Sequence, residues 1–595
     1  MSEGFAWRLP FGAEIIGAGR VRFRIWAPAC KTAAVIINEH RSEVLLAEGA
    51  GWFSAEVASV PGDTYHYRFD DHLRVPDIAS RAQRGGVDGV SQVIDPRAYH
   101  WRHPDWCGRP WRETVIYELH VGVCGGYTGV QQQLARLREL GVTAIELMPV
   151  GEFPGAHNWG YDGVLPFAPS ASYGSPDDLK ALIDTAHGHG LMVFLDVVYN
   201  HFGPQGNYLP EYAKIFFRDD LQTPWGCAID FRRPEVREYF IMNALYWLHE
   251  YRFDGLRLDA VHAIIPHDWL NDLAARVRAS VNSRRQVHIV VENDENSVRL
   301  LEHGIDAQWN DDFHHVAHVL LTGETEGYYG DYAAAPARDL GRCLAEGFVY
   351  QGDYSAFRRT ARGEPSKRLA LTAFVAFLQN HDQVGNRAFG ERLSMLVAPA
   401  ALHAATALLL LSPQIPLLWM GQEWGSRQPF LYFTDYQPPL ADAVRDGRRR
   451  EFAGFAAFRD ELARSRIPDP NDANTFKSSI PDFWAAGYGE GASESARCRE
   501  LLAIRQRELM PYLDSARSVG AQALGVAASM ARWRLVTERV LAIWVNFAAT
   551  PIAVDGRVDG ELLYATCAGG LEKLRAGTLM PHSLVALRQS GNDGV

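Results

Sequence analysis

The chain is 595 residues long, with 47% hydrophobic residues, 22% charged residues and a formal net charge of -12 at pH 7. That length exceeds one ordinary hydrophobic core, so a large central domain with smaller attachments is expected. The composition excludes disordered, collagen-like and fibrous chains, and the negative balance, carried in no long block of like charge, argues against a nucleic-acid partner and favours a neutral ligand.

Near the N-terminus, residues 21–26 and 65–69 alternate with period two, and Pro61-Gly62-Asp63 supplies turn chemistry between them. A small antiparallel β domain, a β-sandwich over residues 1–95, is the expectation. From Val115 the pattern changes to short β-rich runs separated by helical ones, the mark of βα units and a parallel sheet. Residues 116–120 and 143–148 read as strands, with Leu134, Leu137 and Leu140 on one face of the helix between them. Ser175-Pro176 offers an N-cap and an N1 proline to a helix whose buried stripe is Leu179, Leu182, Ile183 and Ala186. Six further strands follow at 192–199, 255–261, 288–292, 307–311, 373–380 and 415–420.

Eight such units fit a closed (β/α)8 TIM barrel of class α/β, spanning residues 96–515, better than an open sheet, since no glycine-rich nucleotide fingerprint follows the first strand. The apolar run 399–420 is broken by His403, Pro413, Gln414 and Pro416 into a helix and a short strand, so no membrane span is expected. Paired strands at 530–536 and 540–547 point to a C-terminal antiparallel β domain over residues 516–595. Seven cysteines, odd in number and without CxxC spacing, suit a reducing cytoplasm, and residues 1–8 carry no pattern of a secretion signal.

In a barrel of this kind, chemistry gathers where strands end on the C-terminal face. There the third strand reaches Asp196-Val197-Val198-Tyr199-Asn200-His201, the fourth ends in Arg257-Leu258-Asp259, the fifth in Glu292 and the seventh in Asn380-His381-Asp382. Cleaving a glycosidic bond with retention needs one carboxylate to attack the anomeric carbon and a second acid, about 5 Å away, to protonate the leaving oxygen. Adjacent strand ends can supply that pair, with Asp259 as nucleophile and Glu292 as acid/base. Arg257, two residues before Asp259 on the same strand face, would keep the nucleophile ionised, and burial would keep the proton on Glu292.

These residues resemble the four sequence regions of the α-amylase family of glycoside hydrolases. The resemblance implies that Asp382 is the transition-state stabiliser beside Asp259 and Glu292, and that Arg257, His201 and His381 hold the sugar at the cleavage subsite. Asn158-Trp159-Gly160-Tyr161-Asp162 is similar to a motif whose tyrosine stacks under that sugar, which assigns Tyr161 a binding role. The stretches Trp309-Asn310-Asp311-Asp312-Phe313-His314-His315, Gln379 to Arg387 and Gly421 to Trp424 resemble the maltooligosyltrehalose trehalohydrolase subgroup. That resemblance implies substrate contacts from Asp311, Asp312, His314, His315, Gln383 and Asn386, a maltooligosyltrehalose or α-glucan substrate, and a functional pairing with maltooligosyltrehalose synthase.

No cofactor is implied. No metal is expected either, because the segment 202–233 is short and holds few clustered acids beyond Asp219-Asp220, although Asn200 matches a calcium ligand of amylases. A glycogen branching enzyme, an isoamylase-like debranching hydrolase and a non-catalytic glucan-binding protein are the alternative readings.

Overall fold

The computed structural model describes residues 7–591, so most of the segment read for a secretion signal lies outside the described residues. Its centre is a closed barrel of eight parallel strands: β1 Ile116–Leu119, β2 Ala144–Leu147, β3 Met192–Val197, β4 Gly255–Leu258, β5 His288–Val291, β6 Ala307–Trp309, β7 Phe374–Phe377 and β8 Ile415–Trp419. Closure is direct, with Ile116 of β1 paired beside Leu417 of β8. Each strand corresponds to one expected from the sequence, shortened at its ends where polar residues turn away into loops. Because helices cover the outside and side chains fill the inside, both strand faces are apolar. Ile116, Ala144, Met192, Phe194, Val290, Trp309, Phe377 and Leu417 make one interior cluster. Gly255 opens β4 for a steric reason: a Cβ there would meet the Phe194 ring at 2.7 Å and the His288 carbonyl at 2.9 Å.

The surrounding helices follow their local signals. Helix α1 (Gly126–Leu140) buries Tyr127, Val130, Leu134, Leu137 and Leu140 and stops at Gly141, whose φ of 105° permits the left-handed cap. Helix α2 (Pro176–Gly188) begins with a reciprocal capping box between Ser175 and Asp178. The apolar run divides as expected into α3 (Pro399–Leu411) and β8. Among the described residues, no helix is long and apolar enough to cross a membrane.

Ahead of the barrel, strands from Gly12–Gly17 to Val90–Gln92 form a folded antiparallel sheet. Its long strand Arg41–Gly49 pairs with Ala33–Ile37 through its first half and with Trp52–Ala58 through its second. That crossover brings two layers face to face, with the Phe23 and Tyr65 rings 4.8 Å apart. The sandwich is joined to the barrel by buried Arg81, whose guanidinium donates to Glu14 and Glu250 at 3.1 Å each. A five-stranded antiparallel sheet, beginning with Arg517–Ala523, closes the chain. It meets the barrel layer through Trp533 Nε1, which donates to the Leu344 carbonyl at 3.0 Å. All seven cysteines are free.

Candidate active site

Alternation along the barrel strands turns Glu118 of β1, Glu146 of β2, Asp196 of β3 and Arg257 of β4 inward near their C-terminal ends. Asp196 and Arg257 are register partners across β3 and β4. Arg257 Nη1 donates to Asp196 Oδ2 at 2.6 Å and to Asp259 Oδ1 at 2.8 Å, and its Nη2 lies 3.6 Å from Glu292 Oε2. The guanidinium carbon sits 4.2 Å from the Trp309 ring centre. One buried cation therefore anchors three carboxylates and rests on an aromatic face.

The two acids next to it are driven apart. Burial raises the Asp259 carboxyl, but the charges of Arg257 and His201 and the hydrogen bond from Asn200 Nδ2 (2.8 Å to Oδ2) outweigh it and hold the group below its ordinary value. Burial pushes Glu292 well above the usual range, and the negative charges of Asp259 and Asp311 add to that against Arg257. Near neutral pH this leaves an ionised Asp259 beside a protonated Glu292, the division of labour that a nucleophile and a general acid require. Ala260 N donates to Glu292 Oε2 at 2.6 Å and fixes its carboxyl at the rim.

A hydrogen-bonded chain crosses the floor of the cleft. Glu118 accepts from both the backbone and Nδ1 of His381. Burial disfavours the imidazolium, yet Glu118 overcomes it and raises His381 above its ordinary value. His381 Nε2 meets the Tyr161 hydroxyl at 2.8 Å, and that hydroxyl donates to Asp196 Oδ2 at 2.6 Å. With acceptor-only carboxylates at both ends, the protons can run in only one order. Asp382 stands exposed in the first turn of the short helix His381–Gly385, following β7, held by Asn386 Nδ2 at 2.5 Å.

The α-amylase catalytic-domain family model matches residues 83–225. A malto-oligosyltrehalose trehalohydrolase of Deinococcus radiodurans is 40% identical over 83% of this chain and 82% of its own length. Another bearing that name, from Rhizobium sp., is 38% identical over 92% and 94%. The chain belongs to the malto-oligosyltrehalose trehalohydrolase family. A solved structure described as a putative α-amylase from Salmonella typhimurium is 41% identical, with a TM-score of 0.92 over 98% of this chain and 100% of that one. A pullulanase of Paenibacillus barengoltzii, at 20% identity and a TM-score of 0.73, shares the fold alone.

Against this trehalohydrolase framework, the expected substrate contacts divide into two groups. Asp311, Gln383, Asn386 and Asp382 stay accessible at the cleft, with Tyr328 donating to Gln383 Oε1 at 3.2 Å. Burial, helped by the charges of Asp294 and Asp382 and opposed by Arg362, lifts Asp311 to about 7. Asp312 and His314 instead face the wall behind the cleft. The Asp312 carboxylate already accepts from Tyr332, Arg362, Asn296 and the backbone of Val349 and Tyr350. His314 spends Nδ1 on the Leu378 carbonyl and Nε2 on Tyr329. Burial lowers His314 to about 3, so it is a neutral spacer. His315 is buried as well, with Nδ1 against the Tyr332 hydroxyl and its ring 4.5 Å from that of Tyr328. Of the residues expected to contact the sugar, Asp312 and His314 thus have their polar atoms bonded within the wall.

His201 also gains a neighbour that the sequence did not announce. Trp225, at the tip of the hairpin formed by Phe217–Thr223 and Gly226–Ile229, stacks on it with ring centres 4.6 Å apart and planes 7° from parallel. Asn200, which matched a calcium ligand, donates to Asp259, while Asp220 pairs with Arg218. Glu118 and Asp196 were missing from the expected site, although a charged residue inside an apolar strand was the available signal.

Glu146 is the extreme case. It is 1% exposed, lies in register with Glu118, and neither of its oxygens has a partner among the described residues. Burial and the charges of Glu118 and Asp196 push its carboxyl far above the usual range, which holds it as a neutral acid. A folded-state value raised in this way stabilises fully below the unfolded pKa of about 4.3, and the contribution fades as pH rises through the folded value. Glu146→Gln, which cannot ionise, is expected to raise the melting temperature at pH 8 while changing it little at pH 5. Equal losses at both pH values in thermal unfolding would show that the carboxyl has a pH-independent packing role instead.

Proposed function

We propose that this chain is a retaining glycoside hydrolase cleaving the α-1,4-glucosidic bond next to the trehalose end of maltooligosyltrehalose, releasing trehalose and a maltooligosaccharide. The observation that carries the chemistry is the pair of acids within reach of the Arg257 guanidinium, where that cation keeps Asp259 ionised while burial keeps Glu292 protonated. The bond specificity rests on kinship with trehalohydrolases over most of the chain.

In this reading an Asp259 oxygen bonds to the anomeric carbon as the bond to the leaving oxygen breaks, and Glu292 delivers its proton to that oxygen. Trehalose departs, leaving a glycosyl ester on Asp259. Glu292, now a carboxylate, takes a proton from water; the hydroxide adds to the anomeric carbon, Asp259 is released and Glu292 is protonated again. Asp382 offers negative charge to the developing oxocarbenium ion. Tyr161, His201 and His381 position the sugar ring, while Asp311, Gln383 and Asn386 line its approach. The substrate has to come from an enzyme that builds a trehalose terminus on a maltooligosaccharide, the place of the proposed pairing with maltooligosyltrehalose synthase. Seven free cysteines fit a cytoplasmic setting.

Incubation with maltotriosyltrehalose, maltopentaose and amylopectin tests the reading. Trehalose plus maltotriose from the first substrate is the expected result. A change in branch number without trehalose would favour a branching enzyme, of which one from Mycobacterium bovis is 30% identical over 68% of this chain. Release of linear chains from amylopectin would favour debranching.

A further inference from the structure

On the flank of the barrel, a cavity of about 640 Å³ opens between the loop after β8 and the helix Gly489–Glu508. Its walls include Trp424, Arg427, Asp482, Tyr488 and Glu490, and none of the residues assigned to the cleavage site. Its size is that of a small-ligand site.

Two aromatic rings stand out into solvent in this segment: Tyr488, which lines the cavity, is 68% exposed, and Trp484, between the wall residues Asp482 and Ala485 in sequence, is 78% exposed. They do not hang on a loose loop. The turn Phe483–Gly487 is capped by Asp482, which accepts from Trp484 N at 3.1 Å. It is pinned by Phe483, whose ring lies 5.8 Å from that of Trp424. Trp424 is in turn covered by Arg136 at 5.2 Å. The neighbouring ring is thus used to fix the turn, and Trp484 is held outward.

The remaining chemistry of the cavity is polar. The side chains of Arg427 and Glu490 form no ion pair or hydrogen bond among the described residues. Flat aromatic faces beside free carboxylate and guanidinium groups suit a pyranose, which offers an apolar C–H face and a rim of hydroxyls.

We propose that this cavity binds a stretch of linear α-1,4-glucan at a second site, apart from the point of cleavage. The occupant follows from the glucan reading of the catalytic cleft, on which the proposal rests, and from the polar lining, which suits a sugar better than an apolar protein contact. Such a site would retain long chains near the enzyme and matter little for short ones.

The test is calorimetric titration of the full chain carrying Glu292→Gln with maltoheptaose, with and without Trp484→Ala and Tyr488→Ala. Two binding events are expected in the first protein, and in the second either one event or a second event weakened about tenfold, the loss of roughly 1.4 kcal/mol. Arg427→Gln, a milder surface change, should weaken the same event. In the otherwise unaltered enzyme, the two alanine substitutions should leave kcat/KM on maltotriosyltrehalose within about twofold. One binding event in both proteins, or two events untouched by the alanines, would overturn the second site. Absence of trehalose release by the unaltered enzyme would overturn the functional reading, while the aromatic-dependent event is scored separately by titration.

Discussion

Asp259→Asn is expected to lose at least ~10⁴-fold in kcat on maltotriosyltrehalose, because it removes the carboxylate assigned to form the glycosyl ester. Glu292→Gln should lose ~10³-fold, within the usual range for removing one general acid. The two variants separate on a glycosyl fluoride, whose leaving group departs without a proton. Glu292→Gln should recover most of its rate for the first step there, and Asp259→Asn should not. The pH profile supplies a second reading of the same pair. The active form holds Asp259 as carboxylate and Glu292 as acid, so activity rises through the depressed value of Asp259 and falls through the raised value of Glu292. Glu292→Gln should remove the alkaline limb while leaving the acid limb in place. An unchanged alkaline limb in that variant would assign the proton to another group.

The second large effect concerns Arg257. Buried at 2% exposure, it neutralises Asp196 and Asp259 from one position and lies 3.6 Å from the Glu292 carboxyl. Breaking a buried pair by removing one partner costs about 3–5 kcal/mol, because the charge left behind is no longer compensated. Arg257→Gln is therefore expected to be strongly destabilised and nearly inactive at neutral pH. The sign of its pH dependence is fixed by the carboxyls. Burial already lifts Asp196 to about 6 against the pull of Arg257; without that cation Asp196 moves further up, and Asp259 loses the strongest influence holding it down. The protonated form of Asp196 then suits the fold still better than its ionised form, so the variant loses stability as pH rises. Thermal unfolding from pH 5 to pH 8 should show a deficit relative to the unaltered protein that widens steadily. A constant deficit would mean that Arg257 contributes by packing on Trp309 rather than by charge. Any residual activity should show an acid limb moved to higher pH.

The Glu146 carboxyl extends the same argument below the cleft. Four charged side chains enter the barrel from β1 to β4, and three of them have partners: Glu118 in His381, Asp196 in Tyr161 and Arg257, and Arg257 in its carboxylates. Glu146 alone stays neutral, which makes the barrel interior sensitive to alkali in a way that the surface ion pairs are not.

The sequence by itself determined the eight barrel strands, the antiparallel sheets before and after them, and the placing of Asp259, Glu292 and Asp382 just beyond strand ends. The physical reason is that periodicity and capping are local: alternation in a strand, a three-to-four repeat in a helix, and Ser175 ahead of Pro176 each act within a few residues. Arg257 was legible as well, since two residues along a strand share a face. What the residues meet is not local. Asp312 and His314 lie in the same run as Asp311, yet the helix that begins at Asp311 turns them toward Tyr329 and Tyr332 of the next 3-10 turn and Arg362 of a short strand beyond it. Glu118 became part of the site only because barrel closure pairs β1 with β8 and so brings it within reach of His381 after β7, across 263 residues. Trp225 reached His201 through a hairpin whose direction no spacing announces. Strand ends set which groups can face the cleft, and only closure of the barrel with the folding of its loops decided which of them have partners and which remain free for a sugar.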